Sequence, residues 1–152
     1  MIIGIKIRSG KSGNNAQITN TANTTMPTTP QPEDLSHLII GILYEVYNEL
    51  GYGYQEKYYY RAIKLKLVAK GLVVSGQLLS KIMIEGKSIG HYFLDFLVSN
   101  KKEKIVLEIK VANEVYPQHI RQVLGYLKNN ELKLGLVAVF SKHGVIVKRV
   151  IN

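Results

Sequence analysis

The run GHYFLDFLVSNKKEKIVLEIKVA, Gly90 to Ala112, holds two stretches of strand character around a polar turn. Aromatic and β-branched residues flank SNKKE on both sides, the pattern of a β-hairpin. Three charges interrupt the apolar runs: Asp95 in the first, Glu108 and Lys110 in the second. Side chains two apart on a strand point to the same face, so Glu108 and Lys110 are neighbours. Asp95 precedes Glu108 by 13 residues, a spacing that lets a hairpin register bring the two carboxylates together.

Two readings of these charges stand side by side. Glu108 and Lys110 could form a salt bridge on a solvated sheet face, and Asp95 could be a strand-end aspartate. Alternatively, the carboxylates share a site. Two close carboxylates repel one another, and a divalent cation relieves that repulsion. Hard oxygen ligands suit Mg²⁺ or Mn²⁺, with Asp95, Glu108 and the backbone carbonyl of Ile109 as candidate ligands. Lys110 would then orient or deprotonate an attacking water and offset developing negative charge.

Outward from the hairpin, the periodicity alternates between helix and strand. Upstream, DLSHLIIGILYEVYNELG spaces its apolar residues as an amphipathic helix, with Asp34 or Ser36 as cap and Gly51 as stop. QEKYYYRAIKLKLVAKG predicts a second helix, ending at Gly71, and LVVSGQLLSKIMI a strand before a turn at EGKS. Downstream, EVYPQHIRQVLGYLKNN returns to helical spacing, with Pro117 suited to the first turn. LKLGLVAVF and GVIVKRVI follow as two strands about SKHG. Two helices, three or four strands, a helix and two strands predict an α/β domain, one mixed sheet flanked by helices.

The chain has 152 residues, room for one domain with a substantial core, and no cysteine, which excludes disulfides and thiolate metal sites. Residues 1–32 are rich in Thr, Asn, Gly and Pro towards the body and are expected to be disordered; the domain is expected over 33–152. Met26, just before the body, is a candidate translation start. No apolar run reaches the roughly 18 residues of a membrane span. MIIGIKIRSG has its basic residues after its apolar ones, the wrong order for a secretory signal, so a cytoplasmic protein is expected. All 11 acidic residues lie at or beyond Glu33, against 17 of the 20 basic ones, leaving the body at +6. That balance suits an acidic partner such as nucleic acid.

Asp95 followed by Glu108-Ile109-Lys110 resembles the D…E-x-K signature of the PD-(D/E)XK nuclease superfamily. Gly53-Tyr54-Gln55-Glu56-Lys57-Tyr58-Tyr59 resembles the G-x-x-E-x-x-Y box of the GxxExxY family within it. IIGILYEVYNELG resembles that family's first helix, and Gln122 to Tyr126 its Q-x-x-x-Y element. The chain departs from the family pattern at Tyr52, where Pro is common, and at Tyr47, where His is common. The similarity spans Leu35 to Asn152. It implies a restriction-endonuclease-like αβββαβ core with an extra N-terminal helix. It also implies a Mg²⁺-dependent nuclease acting on DNA rather than RNA, with Asp95, Glu108 and Lys110 as catalytic residues.

By the same resemblance Glu56 would complete the metal site, directly or through water. Read from the residues alone, it is equally a first-turn glutamate favoured by the helix dipole. Gln122, Tyr126, Tyr59 and Lys102 are candidates for supporting or nucleic-acid contacts. Gln122 and Tyr126 could instead be a polar pair ordering their helix, and His119 reads as an exposed helix residue. Lys102, with Lys101 and Lys104, is by default a solvated turn. A homodimer would let two sites cut both strands. The rival reading is a catalytically idle nuclease fold that binds nucleic acid or a protein partner.

Overall fold

The computed structural model describes residues 34–152; the tail expected over 1–32 and the start at Met26 lie outside the described residues. Helix α1 (Leu35–Leu50) begins where the Asp34 side chain accepts the Ser36 N–H at 2.9 Å, satisfying one of the helix's free donors. Ser36 does not cap the helix. It is buried, and its hydroxyl accepts from Arg149 at 2.8 Å. Gly51, at φ +70°, ends α1 in a conformation that favours glycine. Helix α2 spans Glu56–Ala69.

Strands β1 (Val73–Ile84), β2 (Lys87–Ser99) and β3 (Lys104–Val111) form an antiparallel meander. Helix α3 (Pro117–Asn129) crosses to β4 (Leu134–Ser141), which runs parallel to β3, and β5 (Gly144–Ile151) closes the sheet antiparallel to β4. Sheet order is therefore chain order, β1-β2-β3-β4-β5. The β1–β2 hairpin is longer than expected because its loop is Glu85-Gly86 alone, with Ile84 paired to Lys87. Both loop residues have positive φ, 48° and 75°, the tight turn whose twist matches its strands.

Alternation along β3 and β4 divides the core into two layers. Leu107, Ile109, Leu136, Ala138 and Phe140 pack against α1 and α2. Val106, Val137 and Val139 pack against Val123, Tyr126 and Leu127 of α3. A strand covered on both faces reads as a continuous apolar run, which is why VLEIKVA looks so hydrophobic. Gly135 lets α3 press close: a Cβ there would collide with Val123 Cγ1. Gly135→Ala is therefore expected to cost about 1–3 kcal/mol through overpacking. The check is a lower denaturant midpoint at unchanged m-value.

This is the expected restriction-endonuclease-like core: α2, β1 to β3, α3 and β4, preceded by α1 and extended by β5. Among the described residues no helix is long and apolar enough to cross a membrane.

Candidate active site

The site forms where β2 leaves β3. The ladder between them covers only Phe96↔Leu107 to Ser99↔Lys104. Beyond Leu107 the N–H groups of Ile109 and Val111 face the edge that β2 has abandoned. The next N–H, of Ala112, turns the other way and donates to Phe140 O on β4. Buried backbone donors need partners, and here carboxylates supply them. Ile109 N–H donates to Asp95 Oδ2 at 2.7 Å, and Val111 N–H to Glu56 Oε2 at 3.3 Å. Reciprocally, Asp95 N–H donates to Glu108 Oε2 at 3.0 Å. The acids thus close the gap between the strands as well as facing it.

Glu108 is only 1 % exposed and points to the α3 side of the sheet, so the solvated-face salt bridge does not hold. Lys110 Nζ bonds Glu108 Oε1 at 2.6 Å and lies 3.7 Å from Glu56 Oε1. Burial, joined by the nearby Asp95 charge, pushes Glu108 up to about 7 despite this lysine. Burial also raises Asp95, although the Ile109 N–H and Lys110 work against it. Burial opposes the charge on Lys110, but Glu108 outweighs it and holds the ammonium above its ordinary range. A buried glutamate and a half-buried aspartate, each made harder to ionise, face one cation.

Asp95, Glu108, Lys110 and Glu56 therefore come together, with the Ile109 carbonyl on the same strand edge as its N–H. The oxygen set that could hold a hard cation is Asp95, Glu108 and that carbonyl. Among the described residues no group of three or more His, Asp or Glu converges as a ligand set. Glu56 is engaged with Val111 and Lys110 instead. Two carboxylates with water completing the shell still suit Mg²⁺, which dehydrates reluctantly.

Other expected contacts are placed elsewhere. Tyr59 is fully buried, stacked on Phe140 at 4.4 Å, with its hydroxyl donating to Gly51 O at 2.6 Å. It supports the loop before Glu56 and cannot touch nucleic acid. Tyr126 is packed in the α3 core layer, and burial raises its phenol. Gln122 accepts the Tyr92 hydroxyl through its backbone carbonyl at 2.7 Å, tying α3 to β2. Lys102 sits in the exposed turn at the far end of the β2–β3 hairpin. The four residues from Ser99 to Asp95 alone put it more than about 13 Å away along the strand.

His119 corrects the exposed-helix reading: it is buried, with its Nδ1 accepting the Tyr116 N–H at 3.4 Å. That acceptor role puts the proton of the neutral ring on Nε2. Burial, then the Lys110 charge, lowers its pKa, so α3 contributes a neutral imidazole near Lys110. The sequence carried a signal for this: His119, Val123, Tyr126 and Leu127 share the helical spacing of one apolar stripe.

The family model for the PD-(D/E)XK nuclease superfamily matches residues 33–150. No curated protein matches the chain. Among solved structures, the crystal structure of SSO0001 aligns at TM-score 0.43 and 17 % identity, over 76 % of this chain and 78 % of that one. Hjc, a Holliday junction resolvase from the archaeal hyperthermophile Archaeoglobus fulgidus, aligns at TM-score 0.40 and 13 % identity, over 63 % of this chain and 71 % of that one.

Proposed function

Because the chain belongs to the PD-(D/E)XK nuclease superfamily, we propose that it hydrolyses phosphodiester bonds in DNA with the help of Mg²⁺ or Mn²⁺. The reading rests on one observation above all. Asp95 and Glu108 each accept a backbone N–H from the other's strand at the point where β2 and β3 part, with Lys110 bonded to Glu108 at 2.6 Å. A purely structural strand gap would be closed more cheaply by neutral acceptors than by two mutually repelling acids.

In this mechanism Asp95, Glu108 and the Ile109 carbonyl would hold the cation, which would supply positive charge against that developing on the phosphate. Lys110 works as a donor and a positive charge, since two glutamates hold it protonated. Its N–H groups orient the attacking water and stabilise the phosphate oxygens. Glu56 keeps Lys110 aimed and fastens the Val111 N–H.

Within the superfamily we assign the chain to the GxxExxY family. The box has a physical rationale here: Gly53 adopts φ +114°, Glu56 reaches Lys110, and Tyr59 anchors the loop to the core.

The test is a cleavage assay on linear, circular and single-stranded DNA and on RNA, with each metal and with chelator. Metal-dependent cutting of DNA is the expected result. Asp95→Asn is expected to weaken Mn²⁺ binding at least tenfold by calorimetry and to remove cleavage. Cleavage that survives both chelator and Asp95→Asn would overturn the assignment.

A further inference from the structure

Beside Asp95 the surface opens into a cavity of about 600 Å³, lined by Lys57, Tyr60 and Arg61 of α2 and by Gln77 and Phe93 of the β1–β2 hairpin. We propose that this cavity seats an unpaired nucleotide next to the scissile phosphate, its base stacked on Phe93 and its phosphate held by Lys57 and Arg61. The inference rests on the nuclease reading of Asp95 and names the kind of strand that site takes.

Three observations carry it. First, β2 pairs with β3 only from Phe96 to Ser99, so the stretch from Lys87 to Leu94 extends beyond β3, paired to β1 alone. Phe93 lies on that extension, 55 % exposed, with the His91 ring near-perpendicular to it at 5.6 Å. Second, Phe93 and Asp95 both line the cavity and are two residues apart on one strand, about 6.6 Å. A base on Phe93 therefore belongs to the nucleotide adjoining a phosphate at Asp95.

Third, Lys57 and Arg61 are one helical turn apart, exposed on the same face of α2, and neither makes an ion pair among the described residues. They stand ready for phosphate. The size suits a mononucleotide, within the few hundred to about a thousand cubic ångströms of ordinary ligand sites. The chemistry requires an unpaired base. Duplex bases cover one another's faces, and only an unstacked base can offer its face to an aromatic ring.

The test measures binding in chelator, where nothing is cut. A short single-stranded DNA carrying one 2-aminopurine is compared with a blunt duplex of the same sequence by anisotropy and by base fluorescence. The single strand is expected to bind at least tenfold tighter, with quenching of the probe. Phe93→Ala is expected to weaken single-strand binding about tenfold, to abolish the quench, and to leave thermal stability unchanged. Phe93→Tyr is expected to restore both signals. Arg61→Ala is expected to reduce the slope of log K against log salt by about 0.7.

Equal affinity for the blunt duplex, or an unchanged quench in Phe93→Ala, overturns the proposal. The two readings separate cleanly. Phe93-dependent single-strand binding without cleavage of any substrate supports the cavity assignment and sinks the nuclease reading. Wild-type binding and cutting by Phe93→Ala does the reverse.

Discussion

Lys110→Ala is expected to slow metal-dependent cleavage by about a thousandfold, the loss typical of removing one charged or donor group from a transition state. Its effect on stability should depend on pH. Glu108 is 1 % exposed and has Lys110 as its ion-pair partner at 2.6 Å. Stripping the partner from a buried ion costs about 3–5 kcal/mol when the ion stays charged. Glu108 can escape that cost by taking a proton, and its pKa of about 7 is already close enough to allow it. The variant should therefore lose little stability near pH 6 and much more near pH 8. Lys110→Arg keeps the charge on a longer, planar group. It is expected to recover most of the stability but little of the rate. Denaturation midpoints at the two pH values, with single-turnover rates on cleavable DNA, check this. Wild-type cleavage by Lys110→Ala would remove the lysine from the chemistry.

Much of this site was legible in one hairpin because charges are costly inside apolar strands. Asp95, Glu108 and Lys110 stand out in GHYFLDFLV and KIVLEIKV, and an antiparallel register across a short turn was enough to join them. The parting of β2 from β3 was not legible. It depends on carboxylates replacing ladder partners for Ile109 and Val111, a tertiary event with no local signature. Side-chain direction on helices was harder still. Tyr59 sits one turn from Glu56, yet it enters the core while the glutamate reaches the site. His119 looked polar and exposed, but α3 lays its whole stripe against the sheet. Lys102 was close to the site strands in sequence and remote in space, since strand residues advance about 3.3 Å each.

Glu108→Gln should separate the electrostatic cost of this site from its chemistry. In metal-free protein Glu108 ionises near 7, against an ordinary 4.5 in the unfolded chain. Between those values the native state holds more protons than the unfolded state, so stability falls as pH rises. The favourable contribution is complete below about 4.5 and is lost as pH passes 7. At about 1.4 kcal/mol for each pH unit between the two values, the fall amounts to roughly 3 kcal/mol. Asp95 is raised by burial too and adds to the same trend. Lys110 titrates only at much higher pH and leaves this window alone. The wild type in chelator is thus expected to be less stable at pH 8 than at pH 5. Glu108→Gln should flatten most of that difference, leaving the part due to Asp95 set against His119, whose lowered pKa makes stability rise with pH. Adding Mn²⁺ should restore wild-type stability at pH 8 through binding to the native state. It should do so far less in the variant, which would also fail to cut DNA. A wild type equally stable at both pH values, or a variant stabilised as strongly by the metal, would mean that Glu108 neither carries the buried charge nor holds the cation.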